Sequence, residues 1–143
     1  MRRIPALVAL IALVSVAASC GSGSSGGGGG TPTPSPAAAR PPSPAVVRIV
    51  EPAPGATITG TTLHVVIAVE GATIVQQTTT DIHPDQGHVH LFLDGALIYM
   101  NYTLQQDVPV HPGHYELHAE FVASDHFPFN PRVLSAQVLF TVT

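Results

Sequence analysis

From Leu63 to Val69 every second residue is a large aliphatic: Leu63, Val65, Ile67 and Val69, with Thr62, His64, Val66 and Ala68 interleaved. A period of two places alternate side chains on opposite faces of an extended chain, whereas a helix buries a stripe repeating about every 3.6 residues. The same alternation returns at Val89-Leu91-Leu93, at Tyr115-Leu117-Ala119-Phe121 and at Ala136-Val138-Phe140-Val142. Shorter apolar segments lie at Val47-Ile49, Ala96–Met100 and Thr103–Val108, and no convincing helical run interrupts them. Asp94-Gly95 is a two-residue hairpin signal and Pro112-Gly113 a turn. The pattern predicts an all-β fold, an antiparallel sandwich of about seven strands. Residues 45–143 supply the length of one small domain and no second one.

The chain ahead of residue 45 has a different character. Arg2 and Arg3 precede an apolar run from Ile4 to Val16, and Ala17-Ala18-Ser19 lead to Cys20. A positive region, a short apolar run and small residues make a secretory signal over residues 1–19, the run being short of the about 20 residues that span a bilayer. Residues 21–30, GSGSSGGGGG, read as flexible coil, and residues 31–44, TPTPSPAAARPPSP, as a stiffer polyproline-like spacer. Residues 20–44 therefore form a disordered tether ahead of the domain.

Val16-Ala17-Ala18-Ser19-Cys20 resembles the lipobox of bacterial lipoproteins, with Ala17 where that motif commonly has Leu. The resemblance implies cleavage before Cys20, lipidation (palmitate among the acyl groups) of that cysteine and attachment to the cell membrane on its extracytoplasmic side. Cys20 is the single cysteine of the chain, so no intrachain disulfide forms despite export.

Pro112-Gly113-His114-Tyr115-Glu116-Leu117 resembles the entry to strand F of an immunoglobulin-like domain. There a tyrosine folds back onto nearby backbone. Tyr115 would be that residue, with Leu117 in place of the core cysteine. The domain also lacks tryptophan, which makes it Ig-like and not a true Ig domain. Gly87-His88-x-His90, Asp94-Gly95 and Asp125-His126-x-Pro128 are further similar to uncharacterised histidine-bearing sandwich domains of exported bacterial proteins, which imply no particular activity.

Histidine is the over-used polar residue: all eight lie in residues 45–143. Val89, Leu91 and Leu93 claim the core side of their strand, so His88, His90 and Phe92 point outward, about 6.5–7 Å separating the two histidines along the strand. If this strand and residues 114–122 are antiparallel neighbours, His118 and Glu120 share that outer face, Asp125 and His126 reach the same end from the following loop, and Asp81, His83 and Asp85 reach it from the preceding one. His111 and His114 belong to the opposite end, and His64 to the other sheet. Phe127 and Phe129 flank Pro128 in a proline-rich loop, either as an exposed tip or as a plug for the end of the sandwich.

Imidazole suits zinc and copper(II), and the scarcity of sulfur in the domain argues against a soft copper(I) site. The candidate ligands are His88, His90, His118 and His126, with Glu120 or His83 assisting. A solvated, ligand-free histidine surface and a pH-responsive one fit the same residues. With no lysine and a net charge of -4, the chain carries no basic stripe for nucleic acid. It has no Gly-x-Ser-x-Gly elbow, phosphate loop or dinucleotide fingerprint, and short loops leave little room for a pocket, so binding and not catalysis is expected. The alternative to metal binding is a structural or adhesive module that meets the cell wall or an envelope protein.

Overall fold

The computed structural model describes residues 39–143, with Asn101 described for its backbone alone. The expected signal segment, Cys20 and the tether as far as residue 38 lie outside the described residues. Ten strands and no helix are found among the described residues. One sheet is β1 (Val46–Glu51), β3 (Thr62–Glu70) and β7 (Gln105–Pro109), in the order β1-β3-β7. The other runs β2 (Thr57–Ile58), β10 (Val138–Val142), β8 (Gly113–Ala123), β5 (Gln86–Leu93) and β4 (Thr73–Ile74). To this sheet β6 (Ala96–Asn101) adds by pairing with β5, and β9 (Pro128–Leu134) by pairing with β8.

Pairing is antiparallel except for the two-residue strands β2 and β4, which run parallel to β10 and β5. The period-two residues of both sheets meet in one core. Leu63, Val65 and Ile67 come from β3, Val89 and Leu91 from β5, Leu117, Ala119 and Phe121 from β8, and Val138, Phe140 and Val142 from β10. This is the β-sandwich that the alternation predicts, and it is Ig-like as the resemblance around Tyr115 implies. The tyrosine corner is formed: the Tyr115 hydroxyl donates to the His111 carbonyl at 3.0 Å and accepts from the His111 N–H at 3.3 Å. Leu117 is buried in the core. Asp94 (φ 49°) and Gly95 (φ 77°) both take the left-handed conformation of a two-residue hairpin turn between β5 and β6.

Three strands exceed the expected seven. β2 and β4 are too short to leave a periodic trace. β9 occupies much of the proline-rich stretch expected to be a loop. It pairs with β8 at only Glu120, Phe121 and Val122, and a bulge lies within that pairing. A border strand tolerates Pro128 and Pro131 because prolines cost a ladder only where an N–H is needed. Of the two phenylalanines around Pro128, Phe129 is buried and stacks on Phe121 at 5.7 Å, whereas Phe127 is 63% exposed.

Gly87 sets how closely β5 and β8 approach just ahead of His88 and His90. A Cβ at residue 87 would lie 1.9 Å from the Val122 carbonyl oxygen. Only glycine permits that spacing, and His88 follows it directly.

Candidate metal centre

The register of β5 on β8 pairs His88 with Val122, His90 with Glu120 and Phe92 with His118. Directly opposed residues share a face. The outer face of the larger sheet thus carries His88, His90, Phe92, His118 and Glu120 together.

The imidazoles leave the sandwich core as expected, but that face is covered at the histidine end and is not the solvated surface of the alternative reading. His88 is 1% exposed, His90 7% and Glu120 1%. The cover comes from loops. His126 lies edge-on to His88 with ring centroids 4.3 Å apart, and Tyr102 lies 5.1 Å from the same ring. The segment before β5 is tied down by Val75 N–H to the Gly87 carbonyl and Thr79 N–H to the Ser124 carbonyl. It sets the Thr78 hydroxyl 3.2 Å from His126 Nε2.

Among the described residues His88, His90 and His126 form a group that could hold a metal ion: one ring nitrogen from each lies within 4.8 Å of the others. His88 Nε2 and His90 Nε2 are 3.2 Å apart. Two nitrogens bound tetrahedrally at about 2.0–2.1 Å lie about 3.3–3.4 Å apart, so this pair already stands at ligand spacing. His126 brings a buried Nδ1 that makes no hydrogen bond. Its Nε2 is engaged by Thr78, which leaves Nδ1 as the ring nitrogen without a partner and steadies the ring through its other nitrogen.

His126 sits on the turn between β8 and β9. Its N–H bonds the Ala123 carbonyl and the Ala123 N–H bonds the Phe127 carbonyl, a three-residue hairpin closed by a left-handed residue. His126 fills the left-handed position with φ 68°.

Electrostatics favour neutral, ligand-ready rings. Burial pushes the His88 pKa down to about 4, helped by repulsion from protonated His126 and His90. Burial also lowers the His90 pKa, again with help from His126 and against the opposing pull of Glu120.

Three other expected ligands stand elsewhere. His118 stacks flat on Phe92, with centroids 4.8 Å apart and planes within 3°, so an aromatic ring separates it from His90. The Glu120 carboxylate faces the right rung but is held by Arg132, whose Nε and Nη2 donate at 2.6 and 2.5 Å. His83 is exposed, its Nε2 3.6 Å from Asp81 Oδ2. Asp125, expected at this end, is gripped by Arg40. His64 pairs with Asp107 across β3 and β7 in the other sheet, as the topology predicts. Tyr102, Thr78, Arg132 and Arg40 are the participants that sequence reasoning did not single out; each arrives through long-range packing that no local motif announces.

No family model and no curated protein matches the chain. Among solved structures, the fibronectin(III)-like modules of Clostridium thermocellum CbhA are similar to it, with 14% identity and a TM-score of 0.44. The match covers 68% of this chain and 45% of that one.

Proposed function

We propose that the chain is an exported lipoprotein, held at the extracytoplasmic face of the cell membrane through Cys20, whose Ig-like domain binds a divalent transition-metal ion between His88, His90 and His126. The observation that carries this reading is the convergence of three ring nitrogens within 4.8 Å. His126 also carries a buried Nδ1 with no hydrogen-bond partner. Neutral imidazoles select zinc or copper(II) over calcium or magnesium, which take oxygen ligands. Tyr102 beside His88 closes one flank of the site, and Glu120 stays bound to Arg132, so no carboxylate joins the three imidazoles. The activity is binding, with no catalytic step assigned.

The test is elemental analysis and cobalt(II) or zinc(II) titration of the full-length chain, purified in detergent without a histidine tag. Stoichiometric metal is expected, lost in a His88→Ala/His90→Ala variant. Equal uptake by wild type and variant ends the reading. For the anchor, Cys20→Ala is expected to move the protein from the membrane fraction to the soluble fraction.

A second reading, a module that meets a wall or envelope partner, draws on exposed Leu97, Tyr99 and Met100 along β6. It predicts normal partner retention in the double histidine variant.

A further inference from the structure

Two of the three histidines are fixed by the sheet: β5 is paired with β8 on one side and with β6 on the other. The third is not. His126 lies on a turn, in a left-handed conformation that a non-glycine residue adopts only at a cost. What holds that turn is a residue 86 positions earlier in the sequence.

The Arg40 guanidinium makes four hydrogen bonds to the residues on either side of His126. Nη1 donates to Asp125 Oδ2 at 2.6 Å and Nη2 to Asp125 Oδ1 at 2.9 Å. Nη2 also donates to the Phe127 carbonyl and Nε to the Pro128 carbonyl, each at 2.9 Å. Asp125 Oδ1 in turn accepts from the Phe127 N–H at 3.2 Å, and the Asn130 N–H bonds the Pro41 carbonyl at 3.1 Å. The planar fork therefore grips residues 125, 127 and 128 at once, a geometry that lysine cannot reproduce. Arg40 lies in the proline-rich stretch that composition assigns to the tether, so the last part of that stretch is docked on the domain.

We infer that Arg40 is a positioning residue for the third metal ligand, so that docking of the end of the tether and occupation of the three-histidine site are coupled. This rests on the metal reading above. Coupling of this kind is reciprocal: whatever Arg40 adds to metal affinity, bound metal adds to the docking of residues 40–41. A pull or a partner that lifts the tether from the turn loosens His126 and lowers the affinity of the site.

The experiment is cobalt(II) and zinc(II) titration of the full-length chain in detergent, comparing wild type, Arg40→Ala, Arg40→Lys and Asp125→Asn, each also in a His126→Asn background. Asparagine tolerates the left-handed turn position while removing the imidazole. Arg40→Ala and the isosteric Asp125→Asn are expected to lower affinity about 10–100-fold, the range for residues that orient a ligand. Arg40→Lys is expected to recover only part of the loss. In the His126→Asn background, where His88 and His90 alone bind weakly, the Arg40 effect is expected to vanish. Hydrogen exchange at residues 40–47 is expected to slow on adding metal to wild type. Tight binding by wild type with equal affinity in Arg40→Ala overturns the inference and leaves the metal site standing. An Arg40 effect of the same size with and without His126 makes the residue a mere structural brace and also overturns it. Failure of wild type to bind either metal removes the site itself, and the inference with it. If Arg40→Ala does not fold, Asp125→Asn and Arg40→Lys decide.

Discussion

His88 Nε2 and His90 Nε2 stand 3.2 Å apart inside the covered face of the sheet. In a neutral pair at this spacing one nitrogen must carry the proton and the other must accept it. Two protonated rings would instead place like charges side by side with little water to screen them. In the metal-free protein the pair thus suits one shared proton.

Acid is expected to weaken the metal-free protein in a defined window. The unfolded chain protonates His88 near its ordinary 6.5, while the folded chain resists until about 4. Between those values the unfolded state holds more protons, so stability is full above pH 6.5 and falls as pH drops toward 4. The shift corresponds to about 3 kcal/mol. His90, also lowered, acts in the same direction. Arg40 holds the Asp125 carboxyl below its usual range, so its contribution is lost only at pH below 3.8 and falls outside the window. Urea melts at pH 7 and pH 4.5 on wild type and His88→Leu check this: the pH dependence should shrink markedly in the variant.

Gly87→Ala is expected to cost about 3 kcal/mol, at the upper end for overpacking, because the new methyl meets backbone and not a movable side chain. β5 and β8 must part there, displacing His88. Thermal melting and metal titration should fall together, unlike in Arg40→Ala, where metal affinity falls more than stability.

Arg132→Ala strands a carboxylate that is 1% exposed. A loss of about 2 kcal/mol is expected, less than for a fully buried pair because Arg132 itself is half exposed. Replacing both partners with methionine should restore most of it, since an apolar pair leaves no buried charge. Chemical denaturation of the single and double variants measures the difference.

Tyr115→Phe removes both bonds to His111 and is expected to cost about 1 kcal/mol, read as a lower urea midpoint with an unchanged slope and unchanged metal affinity.

The long strands and the face of each histidine were legible because alternation reports which way a side chain leaves the sheet. Tyr115 was legible because its role depends on residues only four apart. The rung of each residue was not. Whether His118 stands beside His90 or beside Phe92 depends on register between β5 and β8, which no local pattern encodes. Nor was the burial of His88 and His90: their cover is assembled from Thr78, Tyr102 and His126, distant in sequence. β9 was hidden by its prolines, and Arg40 by a composition that reads as spacer although its side chain finds Asp125 85 residues on.

The backbone of His126 carries a trade-off. Its position in the hairpin is one that glycine fills without cost, so His126→Gly should give a firmer turn by up to about 1 kcal/mol. The same change deletes the third imidazole of the proposed metal site. The imidazole therefore stands at this corner at a conformational cost that glycine would not carry.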